Sequence, residues 1–513
     1  LQKIRQHPII ILLAVNILIG LFTFHHYGLS WDEPLFYDYA DALGYAYSPR
    51  EWFSGDFNLE NAYGASGSDH ANRGPAYILL ARGPVFLLEA SGLDAASAWH
   101  LINFLAFQLG VYLFYRLVKR WVNDPAALAA AALLAWQPLL WGQAFINPKD
   151  PPFLVFFLGA MCFGFEMVDE VSQNGGRKTQ KILLAAFFLG IATSIRVLGP
   201  LAGLLVCLYA SSKITKATAG ALIKTLLLYA GLTILITFVT WPYLWSHPVQ
   251  GFIEAFGFMS DNPTKLQVLF NGQLYPADEL PRRYLPVLLG LTLTEPVWIL
   301  FFIGSALALL QLKGEKLFSA ILVWLWFLVP LAYVLLRKPP MYDGFRHFLF
   351  ILPPVFLFAG FAFEKLFSWF HSRWVNIALL AAILLPAVFG IVQLHPYQYT
   401  YYNTFIGGMG GAFRKFETDY WLTCYKQAIE GFQGRETQIA TIYANREAYI
   451  AAYYVKDYLT VLELRGAVDE TRTGDFILVN TRANEDLKTF RDAPVVLEVG
   501  RAGAIFCVIK IVP

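Results

Sequence analysis

The sequence predicts an α-helical polytopic membrane protein with a small α/β domain outside the membrane at its C-terminal end. Three observations lead there. Of the 513 residues, 57% are hydrophobic and only 15% are charged, against the roughly 25% charged residues of a soluble domain. Apolar runs near the ~20 residues needed to cross hydrocarbon recur through position 394, and basic residues collect in alternate loops between them. Beyond position 394 the apolar runs shorten to strand length.

About eleven spans are expected, at 8–24, 99–118, 125–143, 151–168, 182–195, 197–211, 222–244, 285–312, 317–336, 347–366 and 375–394. The first run has no small-residue cleavage site behind it and reads as a retained signal-anchor helix. The fifth and sixth are short and joined by Arg196, which leaves both a hairpin and one kinked span open. Placing Lys3 and Arg5 in the cytoplasm puts Arg116, Lys119 and Arg120, then Arg177, Lys178 and Lys181, then Lys213, Lys216 and Lys224, then Lys313 and Lys316, and finally Lys365 and Arg373 on that same side. That orientation gives a cytoplasmic N-terminus and external segments at 25–98, 245–284 and 395–513. Two domains are therefore expected, a membrane part over 1–394 and an external α/β domain over 395–513.

Within the first external segment, 77–88 is apolar but interrupted by Arg82 and Pro84, and predicts a helix lying in the interface. In the C-terminal part, 439–443, 460–464, 476–480, 495–499 and 504–511 read as strands, and 420–431 and 446–457 as helices. Its tyrosine-rich entry at 395–403 fits an aromatic belt at the membrane surface.

Charge and composition exclude several classes. A net charge of +2 without a Lys/Arg run gives no track for nucleic acid. Cys162, Cys207, Cys424 and Cys507 have no CxxC spacing and report neither a zinc site nor a disulfide framework. The nine histidines include His25 and His26 but no His-x-x-x-His or His-Glu-x-x-His pattern, so neither a metal nor another cofactor is expected.

The informative charges lie on the external side. Trp31-Asp32-Glu33-Pro34 places two adjacent carboxylates where the first span ends and a helix begins. They suit capping that helix and complementing its dipole, and equally proton transfer at the membrane surface. If helical, the two side chains diverge by ~100° and would not share one task. Arg50, Arg73, Arg82, Lys149, Arg196, Arg282, Arg283, Arg337, Lys338 and Arg346 all fall outside or at outer span ends. Singly each fits a solvated loop or a headgroup contact. Together they predict an anion partner, for which a lipid phosphate or pyrophosphate is the natural choice, and the loop from Arg337 to His347 is the strongest such segment. In Asn147-Pro148-Lys149-Asp150-Pro151, Asp150 stands at the mouth of the next span as cap or functional carboxylate. Glu295, inside the eighth span, is expected to face protein or a polar cavity.

The order of these features over 8–394 resembles the GT-C superfamily of polytopic glycosyltransferases, within it the protein O-mannosyltransferase and aminoarabinose-transferase group. The resemblance rests on Asp32-Glu33 in the first external loop, the approach from His70 to Pro75, the Asn147 to Pro151 turn, and Arg346-His347 entering the tenth span. His395-Pro396-Tyr397, Gly407-Gly408 and Glu417-Thr418-Asp419-Tyr420-Trp421 are similar to the tails of bacterial members with an external C-terminal domain.

The resemblance implies a GT-C type fold and inverting transfer of a sugar from a polyprenyl-phosphate donor to a lipid, glycan or protein acceptor at the outer face of the bacterial inner membrane. It implies Asp32 as base, Glu33 orienting a neighbour or the acceptor, and Asp150 as a second carboxylate. Arg73, Lys149, Arg337, Lys338, Arg346 and His347 would hold the donor phosphate, and His70, Glu295 and Tyr342 the acceptor or sugar. Where the aminoarabinose group has Glu-Lys-Pro-Pro, this chain reads Ala71-Asn72-Arg73-Gly74-Pro75, so lipid A as acceptor is not implied. A flippase for a lipid-linked sugar would also want external cations, but the sequence lacks the two related halves common in transporters. A non-catalytic membrane subunit would make Asp32→Asn silent.

Overall fold

The computed structural model describes residues 8–174, 179–260, 266–433 and 440–513. Lys3, Arg5, Arg177 and Lys178, on which part of the expected orientation rests, and the first residue of the expected strand 439–443 lie outside the described residues.

The membrane part comprises helices α1 (Ile9–Thr23), α2 (Glu33–Ala46), α3 (Ala76–Ala90), α4 (Ala95–Val118), α5 (Asp124–Ala135), α6 (Pro138–Ile146), α7 (Asp150–Asn174), α8 (Thr179–Ile195) and α9 (Pro200–Ser211). It continues through α10 (Ala219–Thr240), α11 (Pro248–Ser260), α12 (Tyr284–Thr292), α13 (Pro296–Gln311), α14 (Gly314–Arg337), α15 (Pro353–Trp369) and α16 (Arg373–Leu394). Six of these, α1, α4, α7, α10, α14 and α16, are long and apolar enough to cross a membrane, and α5 with α6 and α12 with α13 form two bent pairs. The protein is a polytopic membrane protein, and among the described residues length and composition give six to eight crossings. The other three of the eleven expected segments form the shorter helices α8, α9 and α15, so length alone does not support eleven crossings. The fifth and sixth segments are two helices, parted at Arg196 with Pro200 opening the second.

Proline sets the bends. Pro138 and Pro296 begin the second helix of each pair, which turn by 62° and 106°. A break inside apolar surroundings strands backbone groups that need partners. Here the two breaks serve each other: buried Gln137 donates through Nε2 to Thr294 Oγ1 at 3.0 Å and accepts from Thr294 N–H at 3.1 Å.

Between α1 and α4, helix α3 runs unbroken through Pro84, and Arg82 pairs with Asp41 and with Glu89. The loop before it presses directly on the end of α8. A Cβ added at Gly74 would lie 1.5 Å from the Ser194 carbonyl oxygen, so only glycine allows this approach.

A hairpin of β1 (Gln267–Phe270) and β2 (Gln273–Pro276) precedes α12 and was not foreseen from the sequence. Asn271 and Gly272 turn it with φ of 51° and 79°, the Asn-Gly signal of a two-residue hairpin loop. The C-terminal part has helix α17 (Cys424–Gln433) and strands β3 (Ala440–Ala444), β4 (Leu459–Glu463), β5 (Phe476–Asn480), β6 (Val495–Arg501) and β7 (Ala504–Ile511). The sheet order is β4-β3-β5-β7-β6, parallel over its first three strands and antiparallel thereafter. Of the expected helix 446–457, only Ala448–Ala452 is α-helical.

Candidate functional site

Asp32 precedes α2 and makes no capping hydrogen bond through its side chain. The capping is done by its neighbour: Glu33 Oε2 accepts from Ser30 N–H at 2.7 Å, and Glu33 Oε1 accepts from Tyr37 Oη at 2.6 Å and lies 3.0 Å from His100 Nε2. Glu33 is thus fully buried and turned into the helix packing, away from the site expected for it. Asp32 points the other way, with Oδ2 3.1 Å from Arg346 Nη2 and 16% of its side-chain surface exposed. Burial pushes its carboxyl above the ordinary range, against the pull of Arg346; Asp343 and Asp150 push it further up and Arg73 draws it down.

Arg346 is the centre of the cluster. Asp343 and Gly344 adopt left-handed φ of 56° and 67°, a reversal that turns the Asp343 carboxylate back on the guanidinium at 3.1 Å. Arg346 Nη1 also reaches Asp150 Oδ2 at 3.3 Å, and its guanidinium lies over the rings of Tyr342 and Trp421 at 5.5 and 5.0 Å. Asp150 begins α7 but does not cap it. Asn147 Oδ1 accepts from the N–H groups of Lys149 and Asp150 at 3.0 and 2.9 Å, which leaves the Asp150 carboxylate to pair with Arg196 and Arg346.

Of these groups, Asp32, Arg196, Tyr342 and Arg346 line a cavity of about 270 Å³. Asp32, Arg73, Lys149, Arg196, Arg346 and His347 form its polar wall, while Leu201, Phe256, Val329 and Phe350 contribute to the apolar remainder. Lys149 is 5% exposed, and its Nζ has no hydrogen-bond partner among the described residues; it sits 5.3 Å over the Phe36 ring. Burial, with Arg196 and Arg73 nearby, pushes that amine well below its ordinary range. Arg73 is half-buried and forms no ion pair among the described residues. An unspent cation set with an apolar extension suits a phosphate carrying a hydrocarbon chain.

Of the residues expected at the site, the structure brings Asp32, Asp150, Arg73, Lys149, Arg346, His347 and Tyr342 together. His70 sits next to them but behind Phe36 and Tyr39, its ring 5.4 and 6.5 Å from theirs. Burial lowers its pKa to about 3, helped by Arg73 and Lys149, so it is a neutral imidazole. Besides Glu33, three expected residues lie elsewhere. Glu295 occupies the α12–α13 bend, where Oε1 accepts from Thr404 N–H at 2.7 Å. Arg337 and Lys338 stand exposed where α14 ends and the chain turns left-handed at Lys338.

No family model and no curated protein matches the sequence. Among solved structures, ArnT of Cupriavidus metallidurans in the apo state superposes at TM-score 0.51 with 15% identity, covering 97% of each chain. The same protein bound to undecaprenyl phosphate superposes at TM-score 0.52 with 12% identity, covering 98% of each. The chain has the GT-C fold. A weaker likeness, TM-score 0.47 at 9% identity, is to an oligosaccharyltransferase of Archaeoglobus fulgidus, covering 93% of this chain and 68% of that one.

Within this GT-C fold, the structure also places around Arg346 four residues to which the sequence gives no individual place at the site. Arg196 is legible only as one of the cations that together predict an anion partner, Asp343 only as part of the loop from Arg337 to His347, and Trp421 only as part of the Glu417 to Trp421 segment. Arg482 gives no local signal, because the convergence comes from the tertiary fold: Asp343 accepts from Trp421 Nε1 at 3.1 Å and from Arg482 Nη1 at 2.6 Å. Among the described residues no group of three or more His, Cys, Asp or Glu side chains is placed to hold a metal ion.

Proposed function

We propose that the protein is an inverting glycosyltransferase that moves a sugar from a polyprenyl-phosphate donor to an acceptor hydroxyl or amine at the outer face of the bacterial inner membrane. One observation carries the reading: a raised, partly exposed carboxylate, Asp32, sits 3.1 Å from Arg346 at the polar end of a cavity whose wall also holds Arg73, Lys149 and Arg196. In the proposed step the acceptor oxygen or nitrogen bonds to the anomeric carbon as the bond from that carbon to the phosphate oxygen breaks. The acceptor's proton passes to Asp32, and the electron pair of the broken bond leaves on the lipid phosphate. Arg73, Lys149, Arg346 and His347 stabilise the charge that gathers there, in surroundings where burial strengthens each contact. Asp150 orients Arg196 and Arg346, and Glu33 fixes the start of α2.

The solved ArnT complex with undecaprenyl phosphate supports a polyprenyl-phosphate donor. The apolar part of the cavity supports it independently, since a soluble nucleotide sugar would leave Leu201, Phe256 and Val329 without a partner. The test supplies radiolabelled polyprenyl-phosphate sugars to membranes with and without the protein. Protein-dependent label in an acceptor is the expected result. Label that crosses the bilayer while remaining on its lipid would instead make the protein a flippase.

A further inference from the structure

The C-terminal domain reaches into the membrane site at several points. Arg482, on the loop that follows β5, is 3% exposed. It donates to Asp343 Oδ1 at 2.6 Å and to the Tyr420 carbonyl at 2.8 Å, lies 3.4 Å from Glu417 Oε1, and covers the ring of Trp31 at 4.6 Å. The segment leading to Asp32 is held from the same side: Tyr449 Oη donates to the Trp31 carbonyl at 2.7 Å, Tyr454 Oη accepts from Leu29 N–H at 2.8 Å, and Lys426 Nζ donates to the Tyr27 carbonyl at 3.3 Å.

Arg346 divides its guanidinium among Asp32, Asp150 and Asp343, and two of these, Asp32 and Asp343, share its Nη2. A bare Asp343 carboxylate would compete for that nitrogen. We propose that Arg482 is a positioning residue of the membrane site: by neutralising Asp343 it leaves Arg346 to Asp32 and the ligand phosphate, so the C-terminal domain completes the site. This rests on the transferase reading for its kinetic consequences but not for its effect on phosphate binding. The titratable and charged groups around Asp32 are Arg346 and Asp343 from the segment before α15, Arg73 from the loop before α3, Lys149 from the turn before α7 and Asp150 from α7, with Tyr449 of the C-terminal domain also near. Removing the Arg482 charge makes their sum more negative, which raises the pH at which Asp32 becomes a base.

The test uses the full-length chain in lipid nanodiscs, comparing wild type with Arg482→Gln, Arg482→Lys and Trp421→Phe, the last removing the indole donor to Asp343 while keeping an aromatic ring beside Arg346. Two quantities are read: transfer rate against pH, and affinity for undecaprenyl phosphate. For Arg482→Gln the acid limb of the rate profile moves up by about one pH unit and affinity falls about tenfold. Arg482→Lys restores much of both, and Trp421→Phe shifts the limb the same way by less. If Arg482→Gln does not fold, Trp421→Phe decides by the presence or absence of that shift. An unmoved limb with unchanged affinity, or a rate loss uniform over pH that Lys does not rescue, overturns the proposal. Should the wild type transfer no sugar, the transferase reading fails while affinity alone decides the role of Arg482.

Discussion

Asp32 and Glu33 are neighbours in the chain and face opposite ways, Asp32 towards Arg346 at 3.1 Å and Glu33 towards His100 at 3.0 Å. The helix start separates them, so one carboxylate opens to the cavity while the other is consumed by Ser30, Tyr37 and His100. Their substitutions therefore separate too. Glu33→Gln lowers stability by about 1–3 kcal/mol and leaves the pH dependence of transfer in place, checked by thermal unfolding beside a rate–pH profile.

Arg346 compensates three carboxylates at once, the buried Asp150 and Asp343 and the partly exposed Asp32. Arg346→Ala strands Asp32, Asp150 and Asp343, at a cost of about 3–5 kcal/mol, and abolishes binding of a lipid phosphate. Arg346→Lys recovers part of the stability but little binding, because one ammonium cannot span the geometry a guanidinium fork covers. Thermal unfolding and undecaprenyl-phosphate affinity on the same samples check both halves.

Lys149 is held below its ordinary range by burial, and by Arg196 and Arg73. A phosphate arriving beside it reverses that balance and raises its pKa. Binding is therefore accompanied by proton uptake, and affinity weakens as pH rises between the free and bound pKa values, by up to about tenfold per unit. Titration calorimetry in buffers of different ionisation enthalpy measures the uptake, and Lys149→Met removes it.

Gly74 touches the Ser194 carbonyl so closely that any Cβ forces a shift. Gly74→Ala displaces the loop carrying Arg73 from the end of α8 and costs about 1–3 kcal/mol. Unfolding temperature reports the cost, and a weakened lipid-phosphate affinity reports the displaced Arg73.

The fold was legible because its physics is local. Apolar runs of span length and strand-length runs after 394 can each be read in a short window, and β5 and β7 fall at their expected residues, 476–480 and 504–511. The hairpin too has a local signal, in Asn271-Gly272. At the site, Asp32, Asp150, Lys149 and Arg346 stood out as charges next to apolar segments. Glu295 stood out for the same reason, but the sequence does not show that its span breaks there and that the carboxylate is spent on the Thr404 backbone. Arg337 and Lys338 carried the right charge but stand exposed at the end of α14, outside the cavity lining. Asp343, Trp421 and Arg482 became neighbours only once the C-terminal sheet packed against the membrane part, a relation no window of sequence contains.

The most direct measurement compares wild type with Asp32→Asn for both undecaprenyl-phosphate affinity and single-turnover sugar transfer from the donor identified in membranes. In Asp32→Asn, transfer falls at least about 10²-fold, with normal expression and an affinity that is kept or strengthened, because a negative charge beside the cation cluster is gone. Transfer by Asp32→Asn at the wild-type rate would contradict Asp32 as the base.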